Sequence, residues 1–374
     1  MNVKQLVKRI LPQRTTFTAV DYGTRAIKVA TVSLAGPQPT LLQLVRTAQP
    51  ELGNDETDEG ARLSRLAEAV DAAGIKGQHV FAALGADKVI TRLVRVPRMP
   101  EKELASAVSF EAEKSIPIPL SDLIVRYVKL GETEGEDGTQ QQLLLAAVPA
   151  QVVHDFYELF VQAGVTISAL DLQPLALWRV LGGVVGHEEH PAEVVAVADL
   201  GAAHTTLIVV DRGALVFCHS LGVGGDLLTK SMADTYGIDF GEAQQLKEKS
   251  GKILSAEEAA NITSPDEMQL DFSLRDGLGE IVRELRRALD YYAAGKNARP
   301  IKRLVLSGGT CNLKGFVSFM AEALEFPVEL GTLPFAVPQG VEAEMSVCDP
   351  AMFMAVGLAL REARFSLTRP GKGD

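Results

Sequence analysis

The sequence predicts an α/β protein of two lobes with a small α+β unit inserted in the first, and three segments carry that prediction. Asp21-Tyr22-Gly23-Thr24-Arg25-Ala26-Ile27-Lys28 and Asp199-Leu200-Gly201-Ala202-Ala203-His204-Thr205-Thr206 resemble one another. Each lies between β-rich runs (Phe17 to Val20 and Ile27 to Val32; Val194 to Ala198 and Thr206 to Val210), so each reads as a strand, a tight glycine turn and a second strand. The third segment, Leu304 to Asn312, is a β run into Ser307-Gly308-Gly309-Thr310. Glycine lets such a turn bring backbone N–H groups close to anionic oxygens, a hydroxyl adds a donor, and an Asp at the mouth can hold a hydrated Mg²⁺. A lone Asp-x-Gly is ordinary turn chemistry. Two such hairpins can clamp one phosphate chain from both sides.

Composition supports two lobes. At 374 residues and 47% hydrophobic content the chain can bury a large core. A formal net charge of −11 argues against a general nucleic-acid binder, which would present a basic face to phosphates. Cys218, Cys311 and Cys348 are odd in number and widely spaced, which excludes a disulfide framework or a CxxC metal pair and points to a reducing compartment. Cys218-His219 has no second pair nearby and reads as structural. No apolar run reaches the ~18 residues that a membrane span needs, and the N-terminus lacks a signal-peptide core, so a cytoplasmic protein is expected.

The elements follow in order. Val3, Leu6, Val7, Ile10 and Leu11 recur at helical spacing among Lys4, Lys8 and Arg9, giving a short basic amphipathic leader with two readings, a contact to an anionic membrane surface or a partner, or a frayed or core-docked segment; alone it is too weak an anchor. After the first hairpin come a polar loop (Glu51 to Gly60), a helix (Leu63 to Ala73) and a strand (His79 to Leu84). A helix from Glu101 to Ser115 starts after Pro100, carries Leu104, Ala105, Val108 and Ala112 on one face, and stops at Pro117 and Pro119. Leu123 to Leu130 and Gln141 to Val148 read as strands joined by an acidic loop, and Gln151 to Ala163 as a helix closed by Gly164. Ala169 to Leu181 returns to the first lobe, and the polar linker Gly186 to Pro191 leads into the second. There, helices follow Gly222-Val223-Gly224-Gly225-Asp226 and Gly237, and Pro350 to Leu360 is an apolar helix rich in small residues.

In this order and at these separations the three segments resemble the signature of the actin-like ATPase superfamily, which implies an actin-like (ribonuclease H-like) two-lobed ATPase fold. Val96-Pro97-Arg98-Met99-Pro100-Glu101-Lys102-Glu103-Leu104, leading to Phe110-Glu111-Ala112-Glu113-Lys114-Ser115-Ile116-Pro117, is similar to the PilM family of type IV pilus assembly. The similarity runs from about Phe17 to Arg361. It implies an inserted subdomain, called 1C, and divides the chain into a leader (1–14), subdomain 1A (15–94), 1C (95–170) and a return to 1A (171–190). The second lobe then comprises 2A (191–221), 2B (222–300) and 2A again (301–345), and 346–374 supplies a connecting helix and tail.

The resemblance further implies ATP and Mg²⁺ as ligands. Asp21 and Asp199 would position the ion, mostly through water. Gly23, Thr24, Gly201 and Thr205 would present donors to the β- and γ-phosphates, with Lys28 neutralising charge, and Gly225 and Asp226 would lie where the second lobe approaches them. Lys247 and Glu248 read either as a solvated helix face or as contacts to ribose and adenine. Gly308, Gly309, Thr310 and Asn312 match the adenosine motif. Arg25 stands where many relatives carry Ser or Gly, leaving two readings: an added phosphate contact, or projection into solvent. His204 lies two places before the position of the water-orienting histidine of conventional actins, and Thr206 stands there instead. No general base is evident, Asp199 being the sole catalytic candidate, so slow hydrolysis is expected.

The partner implied is the N-terminal tail of a PilN-like inner-membrane protein, lying in a groove between the first-lobe core and 1C; the matching stretch includes Pro97, Met99, Glu111, Ile116 and Pro117. Other pilus platform components, motor ATPases and self-association are further implied contacts, nucleic acid is not, and the place of work is the cytoplasmic face of the inner membrane. An FtsA-like division protein is one alternative, but Thr368-Arg369-Pro370-Gly371-Lys372-Gly373-Asp374 is not an amphipathic anchor. A small-molecule kinase of the superfamily is another, lacking here a substrate-binding insertion with a catalytic Asp.

Overall fold

Two sheets of identical topology carry the fold. In chain order the strands are β1 (Thr16–Tyr22), β2 (Ala26–Ser33), β3 (Thr40–Ala48), β4 (His79–Ala83), β5 (Ile90–Pro97), β6 (Leu123–Gly135), β7 (Gly138–Pro149) and β8 (Thr166–Asp171). They continue as β9 (Val194–Leu200), β10 (Thr205–Asp211), β11 (Ala214–Leu221), β12 (Arg303–Ser307) and β13 (Val328–Leu330). The first sheet has the order β3-β2-β1-β4-β8 and the second β11-β10-β9-β12-β13. In each, an antiparallel meander of three strands extends by two parallel strands. This computed structural model describes residues 15–48, 59–116, 118–135, 138–182, 193–296, 298–333 and 349–363. The expected leader, the linker Gly186 to Pro191, Pro117, Cys348 and the tail lie outside them.

The outer face of the first sheet is covered by α1 (Glu59–Ala72) and α3 (Ala150–Gln162). The second sheet is covered by the long α8 (Pro265–Ala293), which follows the short α7 (Ala256–Asn261), and by α9 (Phe316–Leu324). Between the sheets run α4 (Gln173–Leu177) and α10 (Phe353–Ala359), every residue of α10 being buried, as expected of a helix apolar all round. Their crossing is tight: a Cβ on Gly357 would lie 2.2 Å from the carbonyl oxygen of Ala176. Asp171 ties both crossings together, since Arg179 Nη1 donates to its Oδ2 at 2.7 Å and Arg361 approaches within 3.5 Å.

The inserted unit is a three-stranded sheet, β5-β7-β6, covered by α2 (Glu101–Ser115). The helix bounds agree with the sequence reading, although Ala105 is exposed. Several readings need correction. The inserted unit begins with β5 at Ile90, inside the stretch 15–94 read as 1A, because β5 pairs with β7 and not with the first sheet. The segment 151–170, grouped with 1C, belongs to the first lobe: β8 pairs in parallel with β4, and Phe156, Leu159 and Phe160 of α3 pack under that sheet. An amphipathic helix advertises an apolar face but not which sheet it covers. The acidic loop from Gly131 to Thr139 is mostly strand, pairing continuing to Gly135↔Gly138. Nor does 222–300 form a core of its own, because Leu228, Met232 and α8 share one cluster with the second sheet.

β7 explains how the insertion sits. Leu143, Leu145 and Ala147 face α2, while Leu144 joins the core between the lobes and Gln142 Nε2 donates to the carbonyl of Leu215 on β11 at 3.3 Å. The strand is buried on both faces, which is why its sequence Leu143 to Val148 reads as a continuous apolar run.

Candidate functional site

The hairpins β1-β2 and β9-β10 end at one cavity of about 620 Å³ between the lobes. Cross-strand register sets its floor. Asp21 pairs with Lys28 across the first hairpin, and Lys28 Nζ donates to Asp21 Oδ2 at 2.8 Å. Burial alone would lower the Lys28 pKa, but the charge and hydrogen bond of Asp21 reverse this and leave it raised. Asp199 lies opposite Ser307, whose Oγ donates to its Oδ1 at 2.8 Å. Burial pushes the Asp199 carboxyl up to about 6 against the opposing pull of Ser307 and Lys28.

The wall above is set by two helices of the second lobe. Asp239 and Glu242 form a capping box that starts α6 (Phe240–Ser250), and its Lys247 reaches over the floor, Nζ donating to Gly225 O at 2.8 Å and to the Thr229 hydroxyl. Those partners are neutral, and burial brings Lys247 down to about 8. Gly225 opens α5 (Gly225–Tyr236), its N–H donating to Gly201 O at 3.0 Å, and a Cβ there would come within 2.6 Å of Thr310 Oγ1. Thr310 in turn donates to Gly201 O at 2.9 Å, so three chain segments meet at the second turn.

The sequence-predicted residues Asp21, Gly23, Thr24, Lys28, Asp199, Gly201, Gly225, Lys247, Glu248, Gly309, Thr310 and Asn312 all line this cavity. Two do not. Thr205 is buried with its hydroxyl donating to Val223 O at 2.7 Å; strand alternation turns Thr206, not Thr205, to the cavity. Gly308 is buried too, at φ 93°, where a Cβ would strike Leu200 O at 2.3 Å, so its role is close strand approach and not ligand contact. Of the groove residues, Pro97 is exposed, Met99 and Glu111 are half-buried, and Ile116, 4% exposed, packs into the subdomain's own core and cannot form a groove wall.

Two residues were missed. Gln173, at the start of α4, lines the cavity and accepts from Thr206 Oγ1 at 3.4 Å, placing a neutral amide between the turns. The signal was positional: it follows the carboxyl end of β8, where ligands of open α/β sheets collect. Arg46 also lines the wall. In all, Arg25, Lys28, Arg46, Lys247, Lys249, Lys252 and Lys314 outnumber Asp21, Asp87, Asp199 and Glu248 around the cavity. In a chain of net charge −11 that is a local positive field, suited to a polyanion.

The donor set fits a magnesium nucleotide. Two carboxylates are too few to cage a bare cation, and no group of three or more His, Cys, Asp or Glu residues able to hold a metal occurs among the described residues. A Mg²⁺ that keeps most of its water and takes one or two carboxylates matches Asp21 and Asp199.

A doubled sheet of this topology, with paired Asp-x-Gly turns at its seam, defines a protein of the actin-like ATPase fold. Residues 19–363 match the family model described as type IV pilus assembly protein PilM, and the chain belongs to that family. A solved structure, a PilM-PilN type IV pilus biogenesis complex, superimposes with a TM-score of 0.76 at 26% identity, covering 94% of this chain and 99% of that one. The ethanolamine utilization protein EutJ from Carboxydothermus hydrogenoformans shares the fold, with a TM-score of 0.53 at 15% identity over 94% of this chain and 90% of its own. The cell division protein FtsA of Enterococcus hirae is 21% identical over 350 residues, 84% of this chain and 77% of that protein. The FtsA of Enterococcus faecalis is 26% identical over 194 residues, 49% of this chain but 42% of that protein's length. Among the described residues, no helix is long and apolar enough to cross a membrane.

Proposed function

We propose that this protein binds ATP with Mg²⁺ between its two hairpins and acts as a scaffold of type IV pilus assembly, holding the N-terminal tail of a PilN-like membrane protein against the inserted subdomain. The observation that carries the reading is the basic cavity floored by Asp21, Lys28 and Asp199 in a chain of the PilM family. The likeness to a PilM-PilN complex over 94% of the chain supports the partner. When bound, Mg²⁺ would neutralise the phosphates; Asp21 and Asp199 would hold its water shell, and the N–H groups of the Gly23 and Gly201 turns would orient the phosphate oxygens. Gln173 offers an amide to water but no base, so nucleotide serves as a conformational ligand with slow turnover. The place of work follows from the partner: the cytoplasmic face of the inner membrane.

Two titrations bracket this binding. Asp199 must be ionised to attract the cation, so Mg·ATP affinity is expected to weaken as pH falls through about 6. Lys247 must be protonated to attract phosphate, so affinity is expected to weaken as pH rises through about 8. Bound anions stabilise the charged amine, so the loss begins at about 8 and levels off at the higher value of the complex. Thermal-shift titrations across this range should give a bell, and Lys247→Met should flatten its alkaline side. A pH-independent shift would refute the assignment of both residues.

The tail is tested by fluorescence anisotropy with a synthetic peptide of the cytoplasmic N-terminus of a PilN-like membrane protein. Burial of a few apolar side chains, less the ordering of the peptide, gives an affinity of roughly micromolar. Pro97→Asp with Glu111→Lys is expected to weaken it on the order of tenfold, the loss of one good contact. Undiminished tail affinity in that folded double variant would move the groove elsewhere. Slow phosphate release, with and without peptide, checks the turnover.

A further inference from the structure

One side chain of the first lobe reaches two helix N-termini of the second. Arg25, in the turn between β1 and β2, donates from Nε to Asp226 Oδ1 at 3.1 Å, across 201 residues of chain. Its guanidinium also stands 4.6 Å from the ring centre of Phe240, the first residue of α6. Asp226 is not a loose surface acid: its own N–H donates to Ala202 O at 2.9 Å, and the preceding Gly225 N–H to Gly201 O, so it is fixed to the second phosphate turn. Arg25 therefore links the two turns that would hold the phosphates.

A guanidinium presents five N–H donors in a planar fork, and Asp226 takes the one on Nε. Among the described residues, Nη1 and Nη2 of Arg25 make no hydrogen bond, and Arg25 lines the cavity beside Gly23, Thr24 and Gly201. A cation stacked on an aromatic ring and fixed at one edge is held in orientation, with its other edge left to a ligand. Phosphate is the group that such a free edge suits best.

Resting on the nucleotide-binding reading, we propose that Arg25 discriminates between nucleotides by phosphate number. Its Nε holds Asp226 and clasps the lobes, while Nη1 and Nη2 bind the terminal phosphate of a nucleoside triphosphate. A diphosphate lacks the group that the free edge reaches, so it loses that contact and leaves sooner. Asp226 acts through Arg25 and touches no phosphate. Lysine cannot replace Arg25, because one ammonium cannot keep the planar two-sided geometry.

The test uses the full chain with Mg²⁺ and fluorescent N-methylanthraniloyl derivatives of ATP and ADP, measuring Kd by titration and dissociation rates by chase with unlabelled nucleotide. Wild type is expected to bind the triphosphate on the order of tenfold more tightly, the worth of one charge-assisted hydrogen bond. Arg25→Ala should bring that ratio close to one and speed release of both nucleotides. Asp226→Asn should speed release of both yet keep the ratio, a split that a merely structural salt bridge would not produce. Arg25→Lys should lose most of the ratio although it retains the charge, and it serves equally if the alanine variant does not fold. Wild-type binding with an unchanged ratio in Arg25→Ala or Arg25→Lys would overturn this inference alone. Failure of the wild type to bind either nucleotide would overturn the nucleotide site and the inference with it.

Discussion

Substituting alanine for Gly357 is expected to cost about 3 kcal/mol of stability or more, the upper range for overpacking a filled core. The new Cβ would lie 2.2 Å from Ala176 O and 2.7 Å from its carbonyl carbon. Backbone is the obstacle, and it cannot rotate aside as a side chain would. Pro174 to Leu177 of α4 and all of α10 are buried, and Asp171 holds Arg179 and Arg361 of both crossings, so neither helix has room to retreat. Gly279 on α8 is the control: a Cβ there meets only the flexible Arg283 guanidinium at 3.6 Å, so Gly279→Ala should be neutral or stabilising by up to about 1 kcal/mol. Urea unfolding midpoints compare the two. A Gly357→Ala midpoint equal to wild type would mean that the crossing is looser than described.

Asp199→Asn is expected to separate binding from folding. Saturating Mg·ATP at about 100 times Kd should stabilise the wild type by about 2.7 kcal/mol through mass action, and Asp199→Asn or Asp21→Asn should lose that gain. Without ligand, the two aspartates should differ. Burial raises the Asp199 pKa from 3.8 to about 6, so its native state binds the proton more tightly than the unfolded chain does. Stability from that proton is present below the unfolded value, is lost as pH rises through about 6, and is absent at neutral pH, where the ionised carboxylate is a burden. Asp199→Asn should therefore raise ligand-free stability at pH 7. Asp21, whose carboxylate accepts from the buried Lys28, should lose stability when changed to Asn, because the ammonium is left unpaired. Equal ligand-free melting of the two variants would contradict this account of the floor.

Much of this site was legible because turns declare themselves locally. Asp21-x-Gly23, Asp199-x-Gly201 and Gly308-Gly309 mark places where chain geometry needs glycine, and Pro100 and Pro117 bracket a helix whose bounds follow. What stayed hidden depends on pairing. Thr205 and Thr206 are alike in sequence, and only the register of β10 against β9 and β11 decides which hydroxyl faces the cavity. Gln173 is one residue from Pro174 in an unremarkable stretch, and its value comes from the end of β8 being placed beside both hairpins. The partner of Arg25 lies 201 residues away, which no local pattern can report. For the same reason α3 and β8 were grouped with their neighbours in sequence and not with the sheet they complete.

The double burial of β7 has a thermodynamic consequence. Since one face of the strand packs on α2 and the other reaches Leu215 of the second lobe, the inserted unit is not a detachable module, and its removal would open the core between the lobes to water. A ligand that moves that sheet would act on the second lobe through Leu144 and Gln142, and one that closes the lobes would act back on the sheet. Two ligands that both act through this contact are linked by one coupling free energy, equal in both directions. A tail peptide that tightens nucleotide binding by some factor must itself be held tighter by that same factor when nucleotide is bound.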